Sequence, residues 1–378
     1  MDSTVDLYLH IGTEKTGTTS VQKFFRTNRE LLRRKGILYP TAPGNENHTG
    51  LTVAAQKLSR QGPLRKIRGV RSVDEAEAFR SNLMKEIAAE FSVGFYDTVI
   101  MSGEHCSSRL LDDSELQWLK DAFSPFFKSI KIIVYIRRQD DYLLSTYSTS
   151  VKSGATRQLA PPPERLIQFR YNHLELLTRW SRIFGRENII CRKYEKSALK
   201  DGDIVEDFLS TIGIGAAAEF ERPKDVNESL DAETLEFLRL FNKYVPRMSK
   251  GGINPERDNI VGLLSKMSQG PLITLDEGEL GRFMAHFHES NRQVAEAYFG
   301  GARAGSDDPL FEPRMDNRPR TSHVTLTAER VVEISAGLWQ EKQAQLDRAM
   351  ERAKRHKAGL GPGGGRRRAK QPDGTENL

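Results

Sequence analysis

The feature that most constrains the fold of this chain is a set of short apolar runs separated by amphipathic stretches. Residues 130–136 (IKIIVYI) form the most apolar run, and residues 6–12 (DLYLHIG), 97–103 (DTVIMSG) and 188–194 (NIICRKY) match it in length. Runs of this size, bounded by polar residues or glycine, read as buried strands. Between them the spacing turns helical: Val21, Phe24, Phe25, Leu31 and Leu32 share one face, and Gly36 stops that helix after a basic last turn. Further helices are predicted over about 73–91, 112–126, 164–183 and 203–212, with another starting at a cap on Asp140 or Asp141. Strands alternating with helices predict an α/β fold built on a parallel sheet covered on both faces, with ligands held at the carboxyl ends of the strands.

From about residue 228 the pattern becomes helical, through ETLEFLRLFNKYV, LGRFMAHFHESNRQVAEAYF and roughly 326–355, and no second sheet is expected there. The predicted division is an α/β core over 1–222, a helical extension packed on it over 223–355, and a disordered basic tail over 356–378. A partial stripe of Val331, Ile334, Leu338, Leu346 and Met350 reads as packing.

Charge is uneven. Residues 349–378 hold eight Lys/Arg and three Asp/Glu, which accounts for most of the net +6. The basic balance is therefore a tail property. It gives no ground for a specific nucleic-acid partner, and at most a weak contact of the tail with an anionic membrane. A second basic run, Lys57, Arg60, Arg65, Lys66, Arg68 and Arg71, reads as a solvated loop or as a greeting for an acidic acceptor. No apolar run approaches the ~20 residues of a membrane span, the N-terminus lacks a secretion-signal layout, and the two cysteines, Cys106 and Cys191, imply no disulfide framework. The expectation is a soluble cytoplasmic protein; the oligomeric state is left open.

The motif that carries chemistry follows the first strand: HIGTEKTGTTSVQ, residues 10–22. A strand, a glycine turn and a Thr-rich first helical turn make an anion site, because the first amides of a helix lack intrahelical partners and its dipole is positive there. Nucleotide-hydrolysing P-loops place lysine directly after the second glycine. Here Lys15 precedes Gly17 by two residues, so the site is P-loop-like without being that loop. The order Lys-x-Gly-Thr-Thr resembles the 5′-phosphosulfate loop of sulfotransferases that use 3′-phosphoadenosine-5′-phosphosulfate (PAPS). In that family an Arg ending a central strand and a Ser eight residues later bind the 3′-phosphate; here Arg137 ends IKIIVYI and Ser145 lies eight residues on. CRKYEKSAL (191–199) resembles the family's Tyr-Glu segment and implies Tyr194 near the adenine. GILYP, NH, SGEH, RRQDDYLLSTY and NESL resemble a bacterial branch of the family.

The resemblance implies that Lys15, Thr16, Gly17, Thr18, Thr19, Ser20, Arg137, Ser145 and Tyr194 bind PAPS as co-substrate, with Lys15 also catalytic at the bridging and leaving oxygens. Thr18, Thr19 and Ser20 supply hydroxyl donors. No metal cluster with ligand spacing is visible, and none is required. The acceptor, a hydroxyl or amine of a small molecule, glycan or lipid, must lose a proton to a base. Glu104 and His48 lead the candidates, followed by His105; Glu46 and Glu14 complete the set, Glu14 as a residue that orients Lys15. Cys106 reads as core. Two other readings stay open: an NTP-dependent kinase with an atypical phosphate loop, and a non-catalytic nucleotide-binding scaffold.

Overall fold

The structure is a computed structural model that describes residues 4–215, 217–223, 229–249, 252–257, 259–303, 305, 308–313 and 318–357. The predicted disordered tail and the first half of NESL lie outside the described residues, apart from 356–357, which close the last helix.

A five-stranded parallel sheet forms the centre, in the order β2–β3–β1–β4–β5. Its strands are β1 (Asp6–His10), β2 (Ile37–Leu38), β3 (Thr98–Ser102), β4 (Ser129–Ile136) and β5 (Ile189–Lys193). Three match the apolar runs to within two residues at either end, and the first is two residues shorter than its run. The two-residue β2 was not predicted, being too short to show a period. β1 pairs with β3 (His10 beside Ser102) on one side and with β4 (His10 beside Ile133) on the other. The chain leaves β1 for β2 and β3 on one flank and then crosses to β4 and β5, so the connections reverse direction between β1 and β4. That is where open α/β sheets leave a crevice for a ligand.

Alternation along β4 shows why both faces are covered. Ile132, Val134 and Ile136 join a core with Leu7, Leu9, Val99, Met101, Leu177 and Trp180. Ile133 and Tyr135 point the other way, to Val21, Phe24, Phe25 and Phe208. The covering helices are α1 (Thr18–Thr27), α2 (Val73–Phe91), α3 (Asp113–Phe123), α4 (Gln139–Lys152), α5 (His173–Phe184) and α6 (Ile204–Thr211). Local capping is clear in α2, where Ser72 and Glu75 form a reciprocal capping box, and in α3, where Asp112 and Glu115 do. α4 starts one residue before Asp140, so neither aspartate caps it. The predicted helix over 164–183 is broken: residues Ile167–Tyr171 form a π-helical turn before α5.

The C-terminal region adds α7 (Ala232–Tyr244), α8 (Glu277–Ala285), α9 (His288–Tyr298) and the 30-residue α10 (Ala328–Lys357). Contrary to the all-helical expectation, two small pairs of strands occur here, Met248–Ser249 with Gly252–Ile253 and Leu272–Ile273 with Arg320–Thr321. Two-residue ladders carry no hydrophobic period and are invisible to pattern reading. The region grips α4 from two sides. Val151 packs with Leu230, Leu235, Leu238, Ile260, Leu264 and Ile334, while Tyr142 and Leu143 pack with Ile167, Leu275, Phe283 and Phe287. The spacing of Leu144, Tyr147 and Val151 on α4 suggests a face buried against the sheet, but Tyr147 and Val151 pack against the extension instead. Among the described residues no helix is long and apolar enough to cross a membrane.

Candidate functional site

The segment 11–17 leaves β1 at the crevice. Gly17 adopts φ 73° at the start of α1, a left-handed conformation that suits glycine. A Cβ there would also lie 3.1 Å from the Ile204 and Tyr194 side chains. Lys15 takes φ 67° without being glycine. A residue held in that region needs its surroundings to fix it, and they are visible. Arg137, leaving β4, donates from Nη1 to the Lys15 carbonyl oxygen at 2.9 Å. Thr13 and Thr16 hydroxyls donate to the carbonyls of Tyr135 and Thr13 at 3.0 and 2.6 Å.

Glu14 fixes the turn from behind. It is buried, and its carboxylate accepts from Ser108 at 3.0 Å, contacts His105 Nδ1 at 3.0 Å and pairs with Arg170. Burial pushes this carboxyl up, but the His105 hydrogen bond and the positive charge of Arg170 outweigh burial and hold it down at about 2. Glu14 is therefore an ionised strut between the turn, the residues after β3 and the π-helical turn.

Lys15, Gly17, Thr18, Thr19, Ser20, Glu104, Arg137, Ser145 and Tyr194 line one cleft of about 490 Å³. Its far wall comes from α4, through Asp141, Leu144, Ser148, Thr149 and Lys152, and from the C-terminal region, through Ser229, Leu230, Leu235, Val261, Leu272, Ile273 and Arg320. Cleft volumes of ~300–1,000 Å³ hold small ligands. The Arg137 guanidinium sits 5.5 Å from the centre of the Tyr194 ring, so the aromatic supports the cation beside the cleft. Arg138, one residue on, turns away to Asp140 and the Glu312 carbonyl.

Some predicted residues fall elsewhere. Thr16 is buried with its hydroxyl spent inside the turn, which leaves it only its backbone to offer. The Thr18 hydroxyl donates to Glu104, which also accepts from Asn47 at 3.3 Å, so Thr18 is not a free donor for a ligand. His48 does not reach the cleft. It is buried, its Nδ1 accepts from the Ser102 amide at 3.1 Å and its Nε2 faces the Pro40 carbonyl at 3.0 Å. Burial depresses its basicity to about 3. His48 is thus a neutral, Nε2-protonated cross-brace. His105 is engaged with Glu14 and is not among the cleft residues. Glu46 is tied to Arg26 at 2.9 Å. Cys106 is fully buried against Thr52, and burial pushes its thiol up to about 12. Of the proton acceptors proposed from sequence, Glu104 alone lines the cleft.

The basic run over 57–71 is half structural, and Lys66, Arg68 and Arg71 are exposed. Arg65 is buried and donates to the carbonyls of Gln56, Leu58 and Arg60, while Lys57 pairs with Asp112 and Arg60 with Glu115. Ser148, Thr149 and Lys152 were missed although they sit three, four and seven residues after Ser145, on the same face of α4. Arg320, paired with Asp141 at 3.0 Å, arrives from a stretch with no periodic signal.

No family model matches the chain. An uncharacterized protein of Archaeoglobus fulgidus is 28% identical over 200 residues, which cover 50% of this chain and 52% of that protein. The chain thus matches about half the length of that relative. The crystal structure of a sulfotransferase from Alicyclobacillus acidocaldarius is 18% identical, over 58% of this chain and 85% of that one, with a TM-score of 0.38. A likeness that loose bears on no detail of activity.

Proposed function

We propose that the protein transfers a sulfuryl group from PAPS to a hydroxyl or amine of a small molecule, glycan or lipid. The observation that carries this reading is that the Lys15–Ser20 turn and the Arg137/Ser145 pair line a single cleft at the point where the sheet's connections reverse. A nucleotide phosphorylated at both its 5′ and 3′ ends needs two anion sites in one crevice, and this cleft offers a helix N-terminus with a lysine and a guanidinium with a hydroxyl.

In this reading the 5′-phosphosulfate rests on the amides at the start of α1. Tyr194 supplies a flat face beside the nucleoside. The acceptor oxygen attacks sulfur in line, the bond from sulfur to the bridging phosphate oxygen breaks, and negative charge moves onto the departing 5′-phosphate. Lys15 neutralises that charge, a contribution made mostly by position and electrostatics. The acceptor's proton passes to Glu104, the carboxylate at the cleft. Thr18 and Asn47 hold Glu104 in place.

One observation favours a second reading. A Thr at the start of the phosphate-binding helix, bonded to an acid after a neighbouring strand, is also how NTP-hydrolysing folds position magnesium. Thr18 and Glu104 have that relationship. Calorimetric titration decides between them. The sulfotransferase reading expects adenosine 3′,5′-bisphosphate to bind at least tenfold more tightly than ATP with magnesium, and this preference to vanish in Arg137→Ala. Preference for magnesium-ATP, unchanged in that variant, sinks it.

A further inference from the structure

The last helix carries two apolar faces. Ile334 and Leu338 pack onto the C-terminal cluster around Leu235, Ile260 and Leu264. Glu341 pairs with Lys266 on the same side, at 2.6 Å. On the opposite side lie Val332, Ala336, Trp339, Gln343, Leu346, Met350 and Ala353, all exposed. Their spacing alternates four and three residues over three heptads, which is the a/d pattern of a coiled-coil seam. At 100° per residue the seam residues fall within about 60° of one line, whereas Ile334 and Leu338 fall roughly 120–160° away from it. Val332 is 66% exposed, Trp339 75%, Leu346 58% and Met350 55%. A tryptophan and two long aliphatic side chains on one exposed line, with no partner in the described residues, are unusual for a monomer's surface.

We infer that this seam is where a second copy of the chain docks, the two α10 helices running antiparallel. Charge selects both occupant and direction. The first half of the helix, 328–341, has three acids and one base; the second half, 342–355, has five bases and two acids. Running two copies antiparallel sets each acidic half against a basic half, and opposes the helix dipoles favourably. A parallel pair would stack basic on basic. An antiparallel register that pairs a with d positions places Ala336 opposite Ala353 of the partner copy, Trp339 opposite Met350, and Gln343 opposite Leu346. The seam from Val332 to Ala353 is about 33 Å long. With two alanines and a glutamine along it, the contact is a reversible one. The inference is independent of the proposed chemistry.

Sedimentation of the full chain over 1–100 µM tests it. The expected result is a concentration-dependent shift from monomer to twice that mass, abolished in Trp339→Glu/Leu346→Glu. Both positions are exposed, so this variant keeps its circular dichroism and melting temperature. Direction is read by mixing a tagged Ala336→Cys variant with an untagged Ala353→Cys variant under mild oxidation. The native cysteines are buried. Antiparallel pairing gives the mixed disulfide as the main product. A monomer at every concentration overturns the inference, as does cross-linking of each variant only with itself. So does seam-dependent binding to phosphatidylserine vesicles by a chain that stays monomeric, which would assign the face to a membrane.

Discussion

The Arg137 guanidinium donates a hydrogen bond to the Lys15 carbonyl, 2.9 Å across the gap between β1 and β4. One side chain therefore both shapes the anion turn and faces the cleft that the turn opens into. Under the proposed function, Arg137→Ala removes a charge-assisted donor from the ligand as well as the brace on the turn. Hydrogen bonds to charged groups contribute ~1.5–3 kcal/mol each. Losing two predicts at least a 100-fold weaker dissociation constant for adenosine 3′,5′-bisphosphate. Arg137→Lys keeps the charge without the fork and is expected to recover only part of the loss. Calorimetry on the three proteins checks the order.

Ser145→Ala removes one hydroxyl from the same end of the cleft. A drop of roughly tenfold in bisphosphate affinity is expected from one hydrogen bond to a charged oxygen. The same change should leave the affinity for adenosine 5′-phosphosulfate, which lacks the 3′-phosphate, within about twofold. Equal losses for both ligands would show that Ser145 does not meet the 3′ end.

Glu104→Gln separates binding from chemistry. If Glu104 takes the acceptor's proton, turnover falls by ~10²–10⁴ while bisphosphate affinity changes little. His48→Gln and His105→Gln are expected to retain turnover per folded molecule, because neither ring lines the cleft. Labelled-sulfate transfer to an identified acceptor provides the measurement.

Glu14→Gln tests the strut behind the turn. It leaves Arg170 without its carboxylate in a site where Arg170 keeps 25% of its side chain exposed. Breaking a fully buried pair costs 3–5 kcal/mol, so roughly 2–3 kcal/mol is expected here. In the wild type the carboxyl is held at about 2, below its ordinary 4.5. Its contribution is then complete above about pH 4.5 and is lost as pH falls toward 2. Urea midpoints between pH 2 and 6 should therefore converge for wild type and variant at the acid end.

Buried neutral histidines set a second window. His10 and His48 are both depressed to about 3 by burial, from an ordinary 6.5. The unfolded chain binds protons between those values and the folded chain does not, so stability falls as pH drops below about 6.5. Each contributes up to ~1.4 kcal/mol per pH unit. His48→Gln should flatten the dependence of the urea midpoint on pH from 6.5 to 4 by about one proton.

The sheet was legible because its central strands are continuous apolar runs, and the convergence of Lys15, Gly17, Arg137, Ser145 and Tyr194 on one cleft could be anticipated because they lie in the segments that follow β1, β4 and β5. What could not be read depends on contacts distant in sequence. Nothing near His48 says that Ser102 and Pro40 will occupy both its ring nitrogens. Nothing near Arg65 says that three carbonyls will take its donors. Arg320 escaped for a related reason: it approaches the cleft through a two-residue ladder with no period of its own.

Helix α4 presents Ser145 to the cleft while the C-terminal region clasps it on both flanks, through Val151 on one side and Tyr142 and Leu143 on the other. That wall of the cleft is thus held by a vice whose jaws belong to another part of the chain, and under the proposed function so is the grip on the nucleotide. Damage in those jaws, at Phe283 or Leu264 for instance, would register as lost nucleotide affinity at a remove from any atom the ligand touches.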